Sequence, residues 1–196
     1  QIKILYLIAN NIGDVGMTYL CDAFASGSLT NLTELILDGN QIGDTGMVAF
    51  AEALNYNPNG SLANLVRLEL DYNQISDQGM IAFSEAIATG SLAELTLLKL
   101  GSNQISDPGM VSFSDATASG SLANLIRLEL DHNQISDQGM IAFSNAIAIG
   151  SLAKLTYLNL ATNQIGDVGL QAFAGAIANG ALRGLAEVVV GQRDEK

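Results

Sequence analysis

Residues Leu65 to Met80 read Leu-Val-Arg-Leu-Glu-Leu-Asp-Tyr-Asn-Gln-Ile-Ser-Asp-Gln-Gly-Met, and this single stretch passes from one structural period to another. Leu68 and Leu70 alternate with polar residues, the period of a short strand with one buried face. Beyond the Asn the period changes. Met80, Phe83 and Ile87 recur at steps of three and four through Gln78 to Thr89, which gives the apolar stripe of a helix. Asp77 is expected to cap that helix as its N-cap acceptor, and Gly90 to close it in a left-handed turn.

The same pattern, Leu-x-x-Leu-x-Leu-x-x-Asn-x-Ile-x-Asp-x-Gly-Met, runs along the whole chain. Its Asn falls at Asn10, Asn40, Asn73, Asn103, Asn133 and Asn163, every 30 residues except for a step of 33 where Asn57-Pro58-Asn59 is inserted, and a loop is expected to absorb the insertion. The fourth copy opens its helix with Asp107-Pro108, and proline is favoured at the first helical position because its missing amide would be unpaired there anyway. A partial seventh unit over 181–192 keeps Leu185, Val188 and Val190 but carries Arg193 in place of the Asn. The domain expectation is a single array over 1–196 with six full repeats. Ile2, Leu5 and Leu7 already hold core positions at the start, with no polar cap over them, which points to an excerpt of a longer array.

Strand, helix and strand repeated in one direction require parallel pairing with right-handed crossovers. Strands pack about 4.8 Å apart and helices about 8–10 Å apart, so the stack must curve with the strands inside. The expected fold is therefore an α/β right-handed solenoid, a horseshoe with parallel strands on the concave face and helices on the convex face. The recurring Asn follows the last strand Leu, where its amide is placed to satisfy backbone groups of its own turn and the adjacent one.

These residues resemble the ribonuclease-inhibitor-like class of leucine-rich repeats over nearly the whole chain. The resemblance rests on the Leu-x-x-Leu-x-Leu-x-x-Asn strand, the following Ile-x-Asp-x-Gly-Met, and helices such as Ile81 to Ile87. That class includes ribonuclease inhibitor, the sensor arrays of nucleotide-binding innate immune receptors and the Ran GTPase-activating protein, and it implies protein binding through the concave surface. The chain departs from ribonuclease inhibitor in using Asn at every ladder position and never Cys.

Composition narrows the class of partner. Eight Lys and Arg against 20 Asp and Glu give a net charge of −12, which repels nucleic acid and anionic membranes and steers basic partners inward. No apolar run is long enough to span a membrane, and no signal-peptide pattern opens the chain. The single Cys21 excludes an internal disulfide and a cysteine-built metal site and points to a reducing, intracellular (cytoplasmic) compartment. Two glycosylation sequons, Asn31-Leu32-Thr33 and Asn59-Gly60-Ser61, leave a secreted location open.

Residues flanking the buried leucines should face the hollow. The expected partner-binding set is Tyr6, Glu34, Ile36, Asp38, Arg67, Glu69, Asp71, Tyr72, Leu97, Lys99, Arg127, Glu129, Asp131, His132, Tyr157 and Asn159, beside Ile4, Ile8, Gly101 and Ala161. A charged middle between apolar ends fits a protein with a basic patch and apolar flanks. The bland reading is a self-satisfied ladder in which Lys99 relieves Glu69 and Glu129. Asp38 and Asp71 are too few to hold calcium, and no cofactor or metal is expected. Catalysis is not expected either, since His132 and Cys21 lie four strands apart. Two other functions compete: a GTPase-activating protein similar to the Ran activator, and a structural subunit of a larger assembly. The latter draws on small residues along the helices, such as Ala49, Ala82, Ser84, Ser112, Ser114 and Ala172, which would offer a second contact surface on the convex side.

Overall fold

The computed structural model describes residues 2–56 and 62–191. Among the described residues, seven three-residue strands alternate with six helices in the order β1 (Ile4–Tyr6), α1 (Gly13–Ala25), β2 (Glu34–Ile36), α2 (Asp44–Tyr56), β3 (Arg67–Glu69), α3 (Asp77–Ile87), β4 (Leu97–Lys99), α4 (Asp107–Ala118), β5 (Arg127–Glu129), α5 (Asp137–Ala148), β6 (Tyr157–Asn159), α6 (Asp167–Ala178) and β7 (Glu187–Val189). The strands form one parallel sheet in sequence order. Leu35, Leu68, Leu98 and Leu128 lie in register from β2 to β5. The architecture is the expected α/β solenoid. The insertion 57–59, the second sequon and Arg193 lie outside the described residues.

Between sheet and helices runs one continuous apolar core, with Leu70, Leu100 and Leu130 from the strands, Ile75, Ile105 and Ile135 from the turns, and Met80, Met110, Phe83 and Phe113 from the helices. Asn73, Asn103 and Asn133 are buried where the chain leaves each strand, and each reaches back to the preceding repeat. The Asn103 side-chain amide donates to Leu70 O (2.9 Å), Leu100 O and Gly101 O (both 3.1 Å), while its Oδ1 accepts from Ile75 N at 3.0 Å. Buried backbone groups that the short strands leave unpaired are thereby satisfied.

The aspartates act differently from expectation. Asp77, Asp107, Asp137 and Asp167 are the first residues of their helices, preceded by extended Ser76, Ser106, Ser136 and Gly166 as N-caps that make no side-chain cap bond. The carboxylates of Asp14, Asp44, Asp77, Asp107 and Asp137 instead cap the helix of the next repeat. Asp44 Oδ1 accepts from Ser76 N at 2.8 Å and Gly79 N at 2.9 Å, and Asp77 Oδ1 from Ser106 N at 2.8 Å and Gly109 N at 3.0 Å. Their Oδ2 atoms accept the Ser76 and Ser106 hydroxyls. Asp107, bonded in the same way to Ser136 and Gly139, has its carboxyl held below the usual range by these hydrogen bonds, which outweigh its partial burial. This arrangement explains the glycine of the motif: a Cβ on Gly79 would lie 2.7 Å from Asp44 Oδ1 and 3.0 Å from Met47 Cβ. Pro108 is correspondingly the second helical residue, not the first. Helix α3 ends at Ile87, two residues short of the expected Thr89, and Gly90 follows at φ +87°.

The small helix residues also resolve. Ser84 and Ser114 are buried, and their hydroxyls donate to Met80 O and Met110 O, both at 2.7 Å. They do not face outward as a second contact surface would need, and Ala49 and Ala82 are half-buried against the core. No helix is long and apolar enough to cross a membrane among the described residues.

Candidate functional site

The inner face of the sheet takes one row of side chains from the first residue of each strand, a second row from the third, and a third row two residues on. In the first row Glu34, Arg67, Leu97, Arg127 and Tyr157 are all half-buried and stand side by side in register. Arg67 reaches Glu34 at 3.5 Å and contacts Glu69 directly. Arg127 donates to Glu129 at 2.7 Å and lays its guanidinium 3.7 Å from the Tyr157 ring centre.

Ile36, Glu69, Lys99, Glu129 and Asn159 form the second row. Lys99 Nζ lies 3.3 Å from Glu69 and 3.9 Å from Glu129, as the alternation of charge required. The two glutamates hold its ammonium pKa above the ordinary value against the opposing effect of burial. Two members of the expected contact set are inaccessible: Ile36 is 1% exposed and Glu69 3%. Side chains converge on the inner side of a curved sheet, so Ile36, set between Tyr6 and Glu69, and Glu69, covered by Arg67 and Lys99, are closed off. Their part is to support their neighbours.

The third row is acidic. Asp38 Oδ1 accepts from Asp71 N at 3.1 Å, Asp71 Oδ1 from Gly101 N at 2.7 Å, and Asp131 Oδ1 from the Asn159 side chain at 2.9 Å. Gly101 interrupts the row, and a Cβ there would lie 3.0 Å from Asp131 Oδ1 and 3.2 Å from Asp71 Oδ1, so two carboxylates converge over bare backbone. Burial, reinforced by the charge of Asp38, pushes Asp71 up to about 7, and burial with the neighbouring Glu69 pushes Asp38 up to about 6. Burial raises Asp131 as well. One oxygen of Asp38 and one of Asp71 are thus engaged by backbone amides. No cluster of three or more metal-ligating side chains occurs among the described residues.

Aromatic and apolar groups rim this acidic centre. Ile4 and Tyr6 on β1 and Ile8 just beyond it are 43–59% exposed. Tyr72 and His132 stand at the strand exits, both exposed and at positive φ, +56° and +53°. Ala9, Ser102 and Thr162 share that conformation and Gly39 stands in it once, so the turn itself aims these side chains out of the sheet. Two further exposed residues were not singled out in the sequence. Val66 and Ile126 sit just before β3 and β5, and the available signal was an apolar residue where Thr33, Thr96 and Thr156 stand in other repeats. Cys21 is buried on α1, and burial together with Asp22 and Glu52 pushes its thiol up to about 12.

A family model described as Leucine Rich repeat matches residues 28–51, 61–84, 94–114, 121–144 and 151–174, more than half of the chain. Comparison with curated proteins gives no match. Among solved structures, the crystal structure of an internalin C2 from Listeria monocytogenes is similar at 25% identity and a TM-score of 0.49, over 96% of this chain and 80% of that one.

Proposed function

The chain belongs to the leucine-rich-repeat family, whose arrays serve as protein-interaction modules, and from that premise we propose that it binds a partner protein through the inner face of its sheet. The observation that carries this reading is the converging carboxylates of Asp71 and Asp131 over the bare backbone of Gly101, rimmed by exposed Tyr6, Tyr72 and His132. A ladder serving only the fold has no use for two carboxylates whose oxygens converge over bare backbone, each with its pKa raised by burial. A lysine or arginine laid over Gly101 pairs with both carboxylates and favours their ionised forms. The partner is thus a protein with a basic patch flanked by apolar groups, and Glu34, Asp38, Glu129 and Asn159 complete the polar surface around the centre. Arg67, Lys99, Arg127, Leu97 and Tyr157 line the same face.

The role we assign is recognition without catalysis. It is supported by the inert Cys21 thiol and by the position of His132, which belongs to the repeat of β5 while Cys21 belongs to that of β1.

Capture from native extract by the intact chain and by an Asp71→Ser, Asp131→Ser double variant tests this reading. A basic protein held by the first and lost by the second, with unchanged thermal melts, supports it. Binding should also strengthen between pH 6 and 8 as Asp38 and Asp71 ionise. Equal capture by both chains, or capture independent of pH, moves the contact elsewhere and overturns the reading.

A further inference from the structure

The chain's own cations leave one acidic place on the inner face uncovered. Every ion pair found there among the described residues falls on a glutamate: Arg67 on Glu34 and Glu69, Lys99 on Glu69 and Glu129, and Arg127 on Glu129. None reaches Asp71 or Asp131, which stand on either side of Gly101 in the next row. Amides fix these two carboxylates instead. Asp71 Oδ1 accepts from Gly101 N at 2.7 Å and Asp131 Oδ1 from the Asn159 side chain at 2.9 Å. Both atoms lean over Gly101, 3.2 Å and 3.0 Å from the place its Cβ would take.

The strand exits just beyond repeat this symmetry with rings. Tyr72 and His132 follow the two aspartates, whereas the same turn carries Ala9, Gly39, Ser102 and Thr162 in the other full repeats. Backbone pairing sets the two rings on either side of Ser102: Tyr72 N donates to Gly101 O at 3.0 Å and Ser102 N to Asp131 O at 2.8 Å. With adjacent strands about 4.8 Å apart, the rings rise from backbone about 10 Å apart, and only the short Ser102 side chain stands between them. A flat group touching both rings needs about 7 Å, a van der Waals contact on each face, and the inward curvature draws side-chain tips together. The outcome is a slot with a carboxylate and a ring on each wall and Gly101 and Ser102 at its base.

One protein cation matches that shape. A lysine ammonium is a compact, strongly hydrated charge without a flat face, whereas a guanidinium is planar, offers N–H groups along its edges to carboxylates and stacks on aromatic rings. The same chemistry operates one strand away, where Arg127 bonds Glu129 at 2.7 Å while its guanidinium lies 3.7 Å from the Tyr157 ring centre.

Resting on the inner-face reading above, we propose that the slot takes one arginine side chain of the partner protein, its edge on the Asp71 and Asp131 carboxylates and its faces between Tyr72 and His132. The carboxylates supply charge attraction that any cation would feel. The two rings supply the selection of arginine over lysine.

NMR titration of the isotope-labelled chain with N-acetyl-arginine amide and with N-acetyl-lysine amide tests this. The arginine probe should shift the Gly101 and Ser102 amide signals saturably, with an affinity about fivefold or more above that of the lysine probe. Tyr72→Ala and His132→Ala, each at an exposed ring, should lower arginine affinity about threefold and leave lysine affinity unchanged. Ser102→Tyr places a ring in the left-handed turn that Tyr72 already adopts, φ +52° against +56°, and should abolish the shifts by filling the slot. Equal affinities for the two probes, ring variants that bind arginine like the intact chain, or no shift at Gly101 overturn the inference. Capture from native extract separates that failure from failure of the inner-face reading. A partner held by Ser102→Tyr but lost by the Asp71→Ser, Asp131→Ser variant overturns the slot and keeps the reading, while equal capture by all three chains overturns both.

Discussion

Repeats three and five are nearly the same peptide: Ser61 to Gly90 and Ser121 to Gly150 differ only at Val66/Ile126, Tyr72/His132, Glu85/Asn145 and Thr89/Ile149. Their hollows nonetheless differ. The Glu69 side chain is 4% exposed between Arg67 and Lys99, while that of Glu129 is 13% exposed. Arg67 turns toward Glu34 of the preceding strand, whereas Arg127 lies over Tyr157 of the following one. Asp71 is pushed up to about 7 beside Asp38, whereas Asp131 receives a hydrogen bond from Asn159. In a stacked array the properties of a residue are written by the repeats on either side, so identical letters make unequal sites.

Substitutions made in matched pairs test that statement. The largest effect should fall on the Asn ladder. Asn73→Ala and Asn133→Ala each strand several buried backbone groups, and urea denaturation should show losses of about 3–4 kcal/mol in both repeats. Similar losses are expected because both side chains donate to the corresponding three carbonyls and accept an isoleucine amide, Asn73 differing in that it also accepts Asn40 N at 3.1 Å. Glu69→Ala should then cost about 2 kcal/mol and Glu129→Ala about half that, since only the first leaves two cations facing a closed site. Equal losses would sink the claim that neighbours set the environment.

The acidic row gives a pH-dependent effect. The folded chain keeps the Asp71 proton up to about pH 7, whereas the unfolded chain releases it near the ordinary value of 3.8. Between those values the folded state binds more protons, so this group's stability contribution falls as pH rises through the window. Asp71→Asn should therefore stabilise the fold by about 1–2 kcal/mol at pH 8 and change little at pH 3, with Asp131→Asn acting in the same direction but less. Thermal melts at the two pH values read the difference. The smallest effect belongs to the exchange Tyr72→His with His132→Tyr. Both rings are exposed, so stability should move by less than about 0.5 kcal/mol while partner affinity changes.

Periodicity made the fold legible. Leu68 and Leu70 announced the strand, Met80, Phe83 and Ile87 the helix, and the spacing of Asn73 and Asn103 the stacking; all recur where the chain folds. The Lys99 ladder was legible for the same reason, because parallel register follows from the repeat. The aspartate caps were not. Every repeat presents the same Asp and Gly, so the sequence cannot distinguish a carboxylate that caps its own helix from one that caps the next. Ile36 and Glu69 misled because accessibility on an inner surface depends on curvature and on Tyr6, Arg67 and Lys99 across the strand boundaries. The altered first turn, with Ile12 in helical conformation, was equally hidden, because Asn10 to Asp14 conforms to the motif.

The forward-reaching aspartate and the backward-reaching asparagine bear on how such a chain lengthens. Both belong to the invariant part of the motif, so any repeat carries a complete fitting for whichever repeat precedes or follows it. An in-frame duplication of a genetic unit of this size inherits working joints at once and needs no compensating change in the packing. Novelty is then left to exposed side chains: of the four places at which repeats three and five have diverged, Val66/Ile126 and Tyr72/His132 flank the strands, Glu85/Asn145 stands on the helix and Thr89/Ile149 just beyond Ile87 and Ile147.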